Sequence, residues 1–108
     1  MTPLNPLGIP DMQLMQELQD FLKDNRRIFS VRKFKMKSSM VLVNGEIKCK
    51  RLFIHQIYEK SELLPYVPES GFKLLDDWWK KIKHHIPTEG PYYLYKVELL
   101  DNPNLTNK

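Results

Sequence analysis

Apolar residues first recur at helical spacing at Leu14, Met15, Leu18, Phe21 and Leu22, with Gln, Glu, Asp and Lys between them. The spacing predicts a helix over Met12–Leu22, with Asp11 as its N-cap and an end near Asp24-Asn25. From Ile28 to Met36 the period changes to two. Phe29 and Val31 point one way, and Ser30, Arg32 and Phe34 the other. Met40–Val43 reads as a second strand. Asn44-Gly45 then gives a strong hairpin signal, because both turn positions need positive φ. The returning strand runs through Ile47, Cys49, Arg51 and Phe53 to Ile54, with Lys48 and Lys50 on its other face. Glu59–Leu64 fits one helical turn, stopped by Pro65 and Pro68. Leu74, Leu75, Trp78, Trp79 and Ile82 mark a second amphipathic helix that Pro87 and Gly90 terminate. On its polar side, Asp76 with Lys80 and Asp77 with Lys81 stand at i,i+4 in the favourable order. Pro91–Leu100 is the clearest strand. Tyr93, Tyr95, Val97 and Leu99 lie on one face, and Leu94, Lys96 and Glu98 on the other.

This order of elements is an α+β pattern with a small, mostly antiparallel sheet capped by two helices. At 108 residues the chain fits one domain, expected over residues 11–100. Residues 1–10 read as a flexible arm, because Pro3, Pro6 and Pro10 lack amide donors and Gly8 loosens the backbone. Residues 101–108 read as a polar tail. The composition, 42% hydrophobic and 28% charged, is that of a globular protein and not a disordered one. No stretch approaches the ~20 apolar residues of a membrane helix, so no membrane partner is expected. The opening residues lack the basic start of a secretory signal, which points to the cytoplasm. A single cysteine, Cys49, excludes an internal disulfide framework and any multi-cysteine zinc site.

Charge sharpens this picture. The chain carries 17 basic and 13 acidic residues, a formal net charge of +4. Residues 23–51 hold ten of the basic residues against two acids, Asp24 and Glu46, for a local +8. From Asn25 to Lys37 there are six cations and no acid. Such segregation attracts polyanions, because each neutralised phosphate releases condensed counterions. A solvated strand face with scattered lysines would look similar.

Two stretches carry a further pattern. One is the helix Met12–Leu22 followed by Arg26-Arg27-Ile28-Phe29-Ser30-Val31-Arg32. The other is Glu69-Ser70-Gly71-Phe72, then Leu75-Asp76-Asp77-Trp78-Trp79-Lys80, then the strand Tyr92–Leu99. In order and spacing these resemble the ASCH domain of the PUA-like superfamily, over roughly residues 12–100. The resemblance implies a small β-barrel with flanking helices, a cleft beside the basic strand, and RNA- or nucleotide-binding. Some relatives hydrolyse N4-acylcytidines with a lysine, a threonine and a glutamate. By motif these positions fall on Arg27, Ser30 and, one residue early, Glu69. Arginine stays protonated and cannot act as a base on a hydroxyl. Ser30 and Glu69 are therefore candidate catalytic residues without an evident activator, and amidohydrolase- or ribonuclease-like activity is left open.

The expected nucleic-acid contacts are Arg26, Arg27, Arg32, Lys33 and Lys35 on phosphates, with a base near Ser30, Tyr66 and Glu69. Other aromatics interleave with the cations: Phe29, Phe34, Tyr58, Tyr92, Tyr93 and Tyr95. Alternation favours core roles for Phe29, Tyr93 and Tyr95, whereas Tyr66, between prolines, suits a pocket wall. Adjacent Trp78 and Trp79 cannot both centre on one helix face; one at the cleft edge and both against the barrel are each possible. His84 and His85 diverge by ~100° on a helix, which suits one metal poorly, and no metal is expected. There is no P-loop, GxGxxG or GxSxG, and no cofactor is expected. The partner is thus RNA or a nucleotide, with a protein-interaction module that meets an acidic partner as the alternative. Asn104-Leu105-Thr106 fits a glycosylation sequon that has no secretory context.

Overall fold

The computed structural model describes residues 9–100. Residues 1–8 of the expected 1–10 arm, the tail from Asp101 and its sequon lie outside the described residues. The elements are strand β1 (Asp11–Met12), helix α1 (Gln16–Asn25), and strands β2 (Arg27–Arg32), β3 (Ser39–Val43) and β4 (Ile47–Ile57). A 3-10 helix (Lys60–Glu69), helix α2 (Leu75–His85) and strand β5 (Tyr92–Leu99) complete the domain.

The five strands form one curled sheet in the order β1-β3-β4-β5-β2. β1 runs parallel to β3, and the other three pairings are antiparallel. The expected small β-barrel with two flanking helices is thus an open half-barrel with three helices among the described residues. Its two edges, β1 and β2, do not pair. β1 has only two residues before the chain turns into α1.

That turn also moves the helix start. Asp11 belongs to β1 and not to an N-cap, and α1 begins at Gln16 after an extended Met15. Backbone bonds hold the segment to the hairpin: Leu42 N donates to Pro10 O and Asn44 N to Met12 O. The Asn44 side chain prolongs this ladder, accepting from Leu14 N at 2.9 Å and donating to Leu14 O at 3.0 Å. Asn44 and Gly45 have φ of 52° and 75°, as the hairpin requires.

α1 ends at Arg26, which adopts the left-handed conformation (φ 71°) and donates its amide to Leu22 O. β2 stops at Arg32, short of the expected Met36, because β5, its only partner among the described residues, begins at Tyr92 and is preceded by Gly90-Pro91. The 3-10 helix runs through Pro65 and Pro68 instead of stopping there. At its start, Glu62 accepts from the amides of Tyr58 and Glu59.

Two hydrophobic clusters use opposite faces of the central strands. In the first, Leu22 of α1 packs on Ile28, Val41, Val43, Cys49 and Val97. In the second, Leu63, Trp78 and Ile82 pack on Ile57, Tyr92 and Leu94. β5 serves both through alternation alone. β4 needs a register shift between Phe53 and His55, which turns His55 and Ile57 to the face opposite Cys49. No helix among the described residues is long and apolar enough to cross a membrane.

Candidate functional site

β2 sorts the predicted residues by parity. Ile28, Ser30 and Arg32 share the inner face with their β5 partners Val97, Tyr95 and Tyr93. There Arg32 Nε donates to Ser30 Oγ at 3.0 Å, and an outer guanidinium N–H reaches Gln13 O at 3.1 Å. Arg27, Phe29 and Val31 lie on the opposite face. Arg27 Nε donates to Glu69 Oε2 at 2.8 Å, both side chains being about half exposed. Phe29 meets Tyr66 edge-on at 4.8 Å between ring centres, and the Tyr66 hydroxyl bonds His55 Nε2 at 3.2 Å.

A cleft of about 540 Å³ lies along β2, and its lining includes Ser30, Arg32 and Lys33 together with Ser70, Phe72, Trp78, Lys81 and His85. Tyr66 and Glu69 are not among its lining residues. The structure thus brings Ser30 to Arg32 and Arg27 to Glu69, and gives Ser30 and Glu69 separate arginine partners. Among the described residues no base contacts the Ser30 hydroxyl; its neighbour Arg32 is a donor only. Of the adjacent tryptophans, Trp78 is core and lines the cleft, whereas Trp79 packs edge-on against Tyr92 at 5.5 Å.

Arg51 emerges beside this site. It stands on the inner face of β4, is 5% exposed, and its Nε has no hydrogen-bond partner. Its guanidinium lies 5.6 Å from the Tyr95 ring centre, and an outer N–H reaches Lys37 O at 3.3 Å. Burial, and then the charge of Arg51, push the Arg32 pKa below the usual arginine value; Tyr95 opposes them weakly. Neither arginine makes an ion pair among the described residues.

Residues 33–38 form a fastened loop and not the expected strand end. Tyr95 Oη donates to Phe34 O at 2.9 Å and accepts from Met36 N, and Ser38 Oγ accepts from Phe53 N. The loop holds Phe34 67% exposed, with Lys33 Nζ 5.5 Å from its ring centre. Lys35 Nζ lies 5.2 Å from the Phe53 ring centre. Sequence reasoning favoured Tyr66 as the accessible aromatic. Alternation places Phe34 at the end of a strand, and only the loop conformation exposes it. Arg26 lies at a separate small hollow with Arg27, Glu98 and Leu99.

Among the described residues no group of three or more His, Cys, Asp or Glu is placed to hold a metal ion. His84 and His85 contact each other edge-on in the last turn of α2. The chain matches no protein-family model, no curated protein and no solved structure.

Proposed function

We propose that the protein binds single-stranded RNA through β2 and the loop that follows it. The observation that carries this reading is Phe34, a large aromatic ring held out to solvent by a pinned loop and interleaved with Lys33, Lys35 and Lys37. Bases of any identity stack on such a ring, while neighbouring ammonium and guanidinium groups track the phosphates. Arg27 can join them, because an exposed pair such as Arg27–Glu69 is worth little and a phosphate competes with it. The resemblance to ASCH domains, an RNA-associated family, points the same way.

The test is fluorescence anisotropy of a labelled ten-nucleotide single strand. Four phosphate contacts give a salt slope of about −3, hence about 50-fold weaker binding at 200 mM than at 50 mM salt. Phe34→Ala weakens binding by at least about fivefold and leaves that slope unchanged, as loss of stacking should. A mononucleotide tested in parallel separates stacking along a strand from capture of one nucleotide. Affinity indifferent to both salt and Phe34 would refute the reading.

A further inference from the structure

The cleft along β2 has a feature that RNA binding does not use. Six consecutive residues, Ile28 to Lys33, line it. Because neighbours on a strand point to opposite faces, a hollow touched by all six faces the strand's edge and neither of its surfaces. That edge is free: among the described residues β2 pairs only with β5.

The hydrogen-bond phase follows from one contact. Leu99 N donates to Arg26 O at 2.9 Å, so the Arg26–Leu99 pair is a bonded pair of the antiparallel ladder. Bonded and non-bonded pairs alternate, so Ile28, Ser30 and Arg32 spend their main-chain groups on β5. The N–H and C=O groups of Phe29 and Val31 turn outward into the cleft. Apolar walls flank this edge, Leu14 and Leu18 on the α1 side and Phe72 and Ile82 on the α2 side. The hollow is the open seam of the half-barrel, where one further strand would fit.

Its charge selects the occupant. Arg32, Lys33, Lys81 and His85 line the seam, and among the described residues no carboxylate does. We propose that the seam binds an extended acidic peptide as an added β-strand, paired with Phe29 and Val31, with apolar side chains on the two walls and carboxylates on the cations. The six lining residues match a strand of about 20 Å at ~3.3 Å per residue. Main-chain pairing supplies affinity and the walls supply side-chain selection. Peptide is favoured over RNA here because alternating N–H and C=O groups between apolar walls complement a polypeptide backbone and not a phosphodiester one. A carboxylate near Arg32 would also oppose both influences that depress its pKa. The inference does not rest on RNA binding: the two readings share Lys33, but only the RNA reading uses Phe34 and only the peptide reading uses the Phe29 and Val31 main chain.

The probe is the end-blocked hexapeptide Glu-Glu-Val-Val-Glu-Glu, which presents a valine and two carboxylates to each wall, titrated into the whole chain and followed by amide NMR and hydrogen exchange. The expected result is slowed exchange at Phe29 and Val31. A peptide N-methylated at the amides that face β2 binds about tenfold more weakly at unchanged charge. Lys81→Glu weakens the peptide several-fold, and Phe34→Ala does not. Three results overturn the proposal: equal binding of the N-methylated peptide; protection of Phe29 and Val31 by the RNA strand and not by the peptide; or concentration-dependent protection in the protein alone, which would assign the edge to a second copy.

Discussion

Tyr95 shows how much one side chain carries. Its register places it between Phe53 and Ser30, its ring meets the buried Arg51, and its hydroxyl satisfies two main-chain groups of the 33–38 loop. Tyr95→Phe keeps the ring and removes both bonds, leaving Phe34 O and Met36 N to find water. The expected cost is ~1–2 kcal/mol in urea unfolding, and the proposed RNA binding should weaken several-fold at an unchanged salt slope. Full stability and affinity in this variant would mean that other contacts place the loop. Cys49, fully buried in the first cluster, offers a second handle. Burial pushes its thiol up to about 11. The unfolded thiol titrates near ~8.5, so between these values the native state holds the proton more tightly. Its contribution to stability is complete below ~8.5 and is lost as pH rises through about 11. Cys49→Ala should flatten the alkaline limb of the stability–pH curve, measured by denaturant unfolding, and native Cys49 should resist alkylation at neutral pH. Equal alkaline limbs in the two proteins would contradict this.

At the scale of elements, α2, β5 and the hairpin were legible because each carries its own period or turn chemistry. β1 was not: two residues have no period, and distant backbone and the Asn44 side chain hold them. The β4 bulge was equally silent, since strict alternation onward from Cys49, Arg51 and Phe53 would put His55 on their face, and only the register shift separates them. The shared face of Ser30 and Arg32 followed from parity, whereas the Arg27–Glu69 pair joins residues 42 apart and left no local trace. The expected i,i+4 pair Asp76–Lys80 was also outdone by a distant partner. Lys60 hydrogen-bonds Asp76 and lowers its pKa, first by that bond and then by charge, and Lys80 contributes less. The lowered value makes this contribution present above the ordinary carboxylate range and lost as pH falls through the native pKa. An NMR titration should therefore show the Asp76 pKa rising more in Lys60→Gln than in Lys80→Gln. Gly71 locks two elements together. Its φ is 88°, and a Cβ there would stand 2.6 Å from Leu18 Cδ2 and 3.3 Å from Ile28 Cδ1. Leu18 can yield, but the backbone conformation cannot suit alanine, so Gly71→Ala should cost ~1–3 kcal/mol in thermal or urea unfolding.

On the scale of the whole molecule, the two hydrophobic clusters raise the question of whether the chain folds as one unit. They share no buried residue, and they sit on opposite faces of the same two strands. β4 carries Cys49 in one cluster and Ile57 in the other, and β5 carries Val97 in one and Leu94 in the other. Loss of either cluster would thus leave both strands with a bare face. Such strands have no stable state of their own, which couples the two cores into one transition. Mild substitutions probe this without unfolding the protein. Ile28→Val in the first cluster and Ile57→Val in the second should each cost ~1 kcal/mol. With no shared partners, the double variant should lose the sum to within ~0.5 kcal/mol. Circular dichroism and tryptophan fluorescence should follow one urea transition in all three variants, because Trp78 and Trp79 report only the second cluster while the sheet reports both. Fluorescence midpoints that shift with Ile57→Val but ignore Ile28→Val would show the cores melting separately, and the strands would then not be the coupling element.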